Sequence, residues 1–380
     1  MVTAEVSYFK PSTKTGSSLC VIVKDNVLAH TSQILPLNIK GGEITPGNAG
    51  DQTALVLKNL NYILKKVDSS LNQLVKLNIY VAREDLVQEV QQRLIQELET
   101  TAQPACTYVV TKLADPHALV AMDAVAVTGS NQKLEKAQIF NDGVSGFRVA
   151  LLPAGRTAYI AGQAVKADTL AESTKKTMEE LQQTLKYLGA SPANIVQVKA
   201  FLTPMQQATE VSQAIDGFFP EERKPPVTLV EWFSTLPIEI EMIVAMPADD
   251  AAARPAETVV YKTPTGMKAS PVYSRVAIAE VSDRIYVSGI TAKEPNNFDE
   301  RIRSVFDQLK AIVGEAGSDM QHLVKATYYV SDDAISGDFG KIRQEYFNPQ
   351  RPPAASKATV KSVGVPNRIM VIDMIAVPAK

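Results

Sequence analysis

Three short apolar runs each carry one acidic residue near the centre: ALVAMDAVAV from Ala118 with Asp123, IEIEMIVAMP from Ile238 with Glu241, and MVIDMIAVP from Met370 with Asp373. A carboxylate in such surroundings is costly unless hydrogen-bonded. The same surroundings raise its pKa toward the range useful for proton transfer, so the three are candidate general acid/base groups. The plainer reading is structural: backbone amides, or a Ser or Thr of a neighbouring segment, would satisfy each acid without catalysis. Cys106 stands beside Tyr108 and Val109 in an expected strand. With no base placed near it, a small buried hydrophobe is the better reading than a nucleophile. His30, His117 and His322 are far apart, and no second ligand follows at a metal-like spacing, so no metal is expected. Cys20 and Cys106 are too few for a disulfide framework.

The elements that position these acids occur three times. QTALVLKNLNYILKKVDSSLNQLVKLNIYV from Gln52, TMEELQQTLKYLGASPANIVQVKAFL from Thr177 and FDQLKAIVGEAGSDMQHLVKATYYV from Phe306 each read helix, polar turn, strand. Matched positions keep constant spacing: Leu60, Leu181 and Leu309; Leu74, Ile195 and Leu323; Tyr80, Phe201 and Tyr329. Each unit opens on a strand and a turn of small residues, in NVLAHTSQILPLN from Asn26, RTAYIAGQAVKAD from Arg156 and DRIYVSGITAKEP from Asp283. The first helix of repeat one presents Leu57, Leu60, Leu64 and Val67 as one stripe. In ALVAMDAVAV both alternating faces are apolar, which predicts a strand buried on both sides. Two helices cover one face of such a sheet; three copies suggest three sheets hiding their other faces around a common pseudo-threefold axis. PADDAAARPAE from Pro247 has linker composition, and a less distinct boundary falls near SNQKLEKAQ from Ser130, which divides the chain into 1–133, 134–250 and 258–380. Arg148 and Arg156 read as surface charges.

The balance of 39 Lys+Arg against 41 Asp+Glu leaves no general basic field, so nucleic-acid binding is not expected. No uncharged apolar run approaches the length of a membrane span, and MVTAEVSYFKPST lacks the apolar core of a signal peptide. A cytoplasmic protein acting on a small molecule, monomeric as a pseudo-trimer, is the expectation.

The Y-S-x-V opening, the V-S-G turn, the L-V-K-x-T-x-Y-V strand and the apolar closing strand with its central acid resemble the Rid family, also called YjgF or L-PSP. The likeness is clearest in SPVYSRVAIAEVSDRIYVSGI from Ser270 and extends over nearly the whole chain three times. It implies an α+β fold of three chorismate-mutase-like domains in tandem, matching in one chain the family's homotrimer with clefts between adjacent subunits. It further implies hydrolysis of reactive imines or enamines to the keto compound and ammonia, with no metal or cofactor. In the family an arginine of a P-A-R motif pairs with the substrate carboxylate, and a glutamate in the closing strand orients water. This chain departs from that pattern. Repeat one has Pro104-Ala105-Cys106, repeat two Pro225-Pro226-Val227, and repeat three, in PPAASKATV, offers Lys357. Gln91, Ser212 and Gly340 fall where the family has a cleft asparagine.

The resemblance makes Asp373, Glu241 and Asp123 the catalytic candidates. Candidates for substrate contact are Lys357, Tyr273, Ser288, Gly289, Gly162, Gln163 and Cys106, the ligand being a small molecule and, at Lys357, a carboxylate. Each has a bland alternative: Ser288-Gly289 as a strand-end turn, Tyr273 as a packed ring, Lys357 as a solvated lysine. A deaminating hydrolase using a cleft formed largely by repeat three and its neighbour is the leading expectation. A non-catalytic metabolite-binding or regulatory protein comes next. An endoribonuclease, the role attached to the L-PSP name, is a distant third given the charge balance.

Overall fold

The computed structural model describes residues 5–98, 102–129, 134–247, 256–292 and 297–379. Residues 130–133 and 248–255, on which both sequence boundaries fall, lie outside them. The first repeat supplies β1 (Glu5–Ser12), β2 (Ser17–Lys24), β3 (Leu28–Thr31), α1 (Ala49–Lys65), β4 (Leu74–Val81), α2 (Val87–Leu98), β5 (Ala105–Val110) and β6 (Val120–Val127). The second supplies β7 (Gln138–Asn141), β8 (Arg148–Leu152), β9 (Thr157–Gln163), α3 (Leu170–Tyr187), β10 (Ile195–Leu202), α4 (Ala208–Asp216), β11 (Val227–Glu231) and β12 (Ile238–Ala245). The third supplies β13 (Val259–Lys262), β14 (Val276–Ala279), β15 (Arg284–Val287), β16 (Ile290–Thr291), α5 (Phe298–Glu315), β17 (Leu323–Val330), α6 (Ser336–Tyr346), β18 (Ala354–Thr359) and β19 (Met370–Ala376).

The long helices start by one device. Asn48, Thr169 and Asn297 each accept a hydrogen bond from the backbone N–H three residues on, satisfying a donor that the first turn leaves free. Leu57, Leu60 and Leu64 face the sheet as the stripe predicts, while Val67 lies just past the helix end and is still buried. Strand β6 is buried at every position, as its two apolar faces require.

Three mixed sheets result, in the orders β5-β4-β6-β3-β8-β7, β11-β10-β12-β9-β14-β13 and β1-β2-β15-β19-β17-β18, with β16 also on β19. Among the described strand pairs, only β4/β5, β10/β11 and β17/β18 run parallel. Repeats one and two open with three strands and repeat three with a fourth short one, β16, rather than the one strand and turn read from the opening segments of the sequence, and the first two of each repeat join a neighbouring repeat's sheet. Hairpin β7–β8 extends the first sheet, β13–β14 extends the second, and β1–β2 closes the ring on the third. Fully buried Arg284 fastens one such crossing: its guanidinium donates to Tyr159 Oη at 3.0 Å, Thr157 Oγ1 at 2.8 Å and Gly155 O at 3.0 Å in repeat two.

Helix and sheet enclose one core per repeat. The inner sheet faces meet in two shared clusters. One gathers Val75, Val125, Val196, Ile243, Val324 and Ile375; the other Tyr80, Phe201, Tyr329, Trp232 and Val371. Arg148 and Arg156 are not the surface charges their sequence context suggests. Arg148 grips Asp216 at 2.7 and 2.6 Å, and Arg156 binds Glu280, both pairs mostly buried within the exchanged hairpins' seams. A guanidinium fork matches a carboxylate bidentately there.

Candidate active site

Asp123, Glu241 and Asp373 converge where all three repeats meet, only 1, 2 and 9% exposed. Each faces the middle of its neighbouring strand, opposite Asn78, Lys199 and Thr327. Partners come from the next repeat. Lys76 of repeat one binds Asp373 of repeat three at 3.0 Å, and Lys325 of repeat three binds Glu241 of repeat two at 2.6 Å. The third lysine of this ring is replaced by Gln197. Asp123 is instead held by Tyr80 Oη and Asn78 Nδ2, both at 2.7 Å, and by Thr228 of repeat two at 3.2 Å. Burial works against a charged Lys199, but the carboxylates of Asp123, Glu241 and Asp373, with the Tyr329 oxygen, outweigh it and hold its pKa above the usual lysine range.

Asp123, Asp373, Lys76, Lys199 and Lys325 line a cavity of about 30 Å³ together with His30, Asn78, Gln197 and Tyr286. It has room for one or two water molecules and none for a metabolite. Both His30 ring nitrogens, Asn78 Oδ1, Gln197 Nε2 and Tyr286 Oη are buried atoms that have no hydrogen-bond partner among the described residues. Burial lowers the His30 pKa to about 4, so the ring is neutral at physiological pH.

The three peripheral seams are unlike one another. Between repeats one and two, Gln33 N donates to Val227 O at 3.0 Å and its side chain to Leu229 O at 3.1 Å. Between repeats three and one, Ser288 Oγ accepts from Cys106 N at 2.9 Å, and Gly289 N donates to Cys106 O at 2.8 Å. Hydrogen bonds to backbone groups thus bridge both of these seams. Cys106 is buried, and burial pushes its thiol up to about 12 against the pull of Lys76, so it is no nucleophile at neutral pH.

The seam between repeats two and three is open. A cavity of about 390 Å³ is lined by Trp232, Phe233, Leu236 and Glu239 of repeat two and by Asp333, Lys357 and Thr359 of repeat three, with Ser234 and Thr235 at the loop. Glu239 is the residue that sequence reasoning passed over in favour of Glu241. It points from β12 across the Cα of Gly162: a Cβ there would fall 2.1 Å from Glu239 Oε1. In the other repeats Val371 lies against Gly289, and Ala121 takes the equivalent position opposite Ser32. Burial raises the Glu239 pKa to about 7; the Ser356 hydroxyl, Lys325 and Arg275 pull it down, and Glu241 adds to the rise. Its Oε1 has no hydrogen-bond partner among the described residues. The available signal was the doubled acid of Ile238-Glu239-Ile240-Glu241, where the other repeats have one.

Lys357 lines this cleft but is engaged, its Nζ 3.1 Å from Asp333 Oδ1 and bonded to Ser336 Oγ. Gln163 is buried, donating to Thr184 Oγ1 at 2.8 Å. Tyr273 packs against the shared core under the Arg275 guanidinium, outside the lining of the cleft. The structure thus brings Gly162 and Lys357 of the sequence candidates together, adds Glu239, and puts the three original acids on the axis.

Three α+β units with their sheets closed around one axis, and clefts at their seams, define the class of protein. The model of the Endoribonuclease L-PSP family matches residues 14–128, 132–246 and 263–378, and the chain belongs to that family. It is similar to Protein mmf1, mitochondrial, of Schizosaccharomyces pombe, with 38% identity over 63 residues; the match covers 17% of this chain and 38% of that protein. Among solved structures it is similar to yeast Mmf1 at 24% identity (32% of this chain, 99% of that one, TM-score 0.24). It is also similar to the Rid family protein YyfB from Yersinia pestis at 19% identity (32% and 98%, TM-score 0.29). No helix among the described residues is long and apolar enough to cross a membrane.

Proposed function

We propose that the chain hydrolyses small reactive imines or enamines to the carbonyl compound and ammonia at the open cleft between repeats two and three, with Glu239 as the proton-transfer group. The observation that carries this reading is a carboxyl group placed in that cleft over Gly162 with its pKa raised to about 7. Near neutral pH both forms of the acid are present. The protonated form donates to the imine nitrogen, and the carboxylate then takes a proton from water as its oxygen adds to the carbon. A second transfer places a proton on the carbinolamine nitrogen. The C–N bond breaks, nitrogen leaves as ammonia, and the hydroxyl proton is lost as the carbonyl forms.

A binding cleft without turnover is favoured by one observation, the prior engagement of Lys357 by Asp333. The ribonuclease activity in the family's description is the weakest reading, because a net charge of -2 offers little to neutralise phosphates. The test is ammonia release from freshly generated imines, with and without a carboxylate. Glu239→Gln should lower the rate by about 100-fold or more while the protein stays folded. A parent that releases no ammonia from any of them supports binding alone; a Glu239→Gln variant as fast as the parent removes Glu239 from the mechanism.

A further inference from the structure

We propose that the ligands of this cleft are imines or enamines lacking a carboxylate, bound through an uncharged or protonated nitrogen against an apolar wall. The inference rests on the reading of the cleft as an imine-hydrolysing site and concerns which imines enter it. Its lining holds two carboxyl groups, Glu239 and Asp333, and one cation, Lys357. That cation is already claimed. Asp333 Oδ1 accepts from Lys357 Nζ at 3.1 Å and from Ser336 Oγ at 2.6 Å, so the carboxylate is held in place beside the ammonium. An anionic ligand would have to displace it or lie next to two acids, shedding water without a free counter-charge. A cationic or neutral nitrogen meets the opposite situation, since Glu239 Oε1 has no hydrogen-bond partner among the described residues.

The rest of the wall points the same way. Trp232 is 4% exposed, and its indole N–H likewise has no partner among the described residues, offering one donor to a neutral acceptor. Phe233, 58% exposed, presents its ring at the mouth, and Leu236 continues the apolar surface. Phe233 N donates to Thr359 O at 2.7 Å, which fixes this loop to the far wall. Such a site suits a compact apolar body with one nitrogen.

Calorimetry with 1-pyrroline and 1-pyrroline-2-carboxylate, the same ring without and with the acid, tests the assignment. The parent should bind 1-pyrroline at least about tenfold more tightly. Asp333→Asn, at an exposed position, should narrow or reverse that preference by removing the negative charge that Lys357 now faces, with the melting temperature as the folding control. Equal affinities in the parent, tighter binding of the carboxylate, or no binding of either ring at millimolar concentration would each overturn the proposal. An Asp333→Asn protein with the parent's preference would do so as well. Hydrolysis itself is judged separately by ammonia release and Glu239→Gln, so a wrong charge preference and a wrong reaction give different results.

Discussion

Glu239 and His30 titrate in opposite senses. The Glu239 pKa rises on folding from 4.5 to about 7, so the folded chain binds more protons than the unfolded one across that window, and stability falls as pH rises through it. The His30 pKa drops from 6.5 to about 4, so the unfolded chain binds more protons there, and stability falls as pH falls through it. Where the two windows overlap, the slopes oppose each other. Glu239→Gln should therefore stabilise the protein by about 1–3 kcal/mol at about pH 8 and leave it unchanged at about pH 4. His30→Leu should remove the loss of stability on acidification from pH 6.5 to about 4. Urea unfolding at several pH values reads both, and matching slopes in parent and variants would contradict the assignments.

At the scale of elements, the small residue near the end of the third strand meets a different neighbour in repeats two and three. Gly162, the last but one residue of β9, lies under the Glu239 side chain, and a Cβ at 162 would fall 2.1 to 2.5 Å from its Oε1, Cδ and Cγ, so it would push that side chain away. Gly162→Ala should thus lower imine hydrolysis nearly as far as Glu239→Gln, with a stability change below about 1 kcal/mol. A Cβ added at Gly289 would fall 2.8 Å from Val371 Cγ2, 3.2 Å from Thr107 Oγ1 and 3.3 Å from the Thr107 backbone, so rigid neighbours would have to shift. Gly289→Ala should accordingly cost about 1–3 kcal/mol, the range for overpacking. Thermal melts and ammonia assays on the two variants distinguish a turn that cradles a side chain from one that seals a seam.

For the whole molecule, the axial ion pairs join different repeats, so breaking one tests their assembly. Lys325→Met leaves Glu241 buried without its cation and should cost about 3–5 kcal/mol, whereas Lys325→Met with Glu241→Met should recover much of it. Equal losses in the single and double variants would mean that the pair does not couple repeats two and three. The exchanged hairpins lead to a further expectation: the ring closes within one chain, since β1–β2 fills the last edge. Light scattering should give the mass of one chain, and a smallest species of three chains would contradict closure within the chain.

Much of this was legible in local sequence. Periods of 3.6 and 2 report which face an element buries, and for that reason the Leu57-Leu60-Leu64 stripe, the doubly buried β6 and the threefold repetition could be read directly. The loss of the arginine was equally plain, being a matter of residue identity at Cys106 and Val227. Alternation does not say which copy of a partner strand is met. Three homologous sheets offer β2, β8 and β14 nearly equivalent edges, and the choice of the neighbour's sheet belongs to the tertiary connection. The same limit misdirected attention among the acids. Glu239 and Glu241 lie two apart on one face of one strand, and their local sequence gives both a reason to be buried. Only the packed structure sets Glu241 against Lys325 on the axis and Glu239 over Gly162 in the cleft, because each acid's partner comes from a segment distant in the chain.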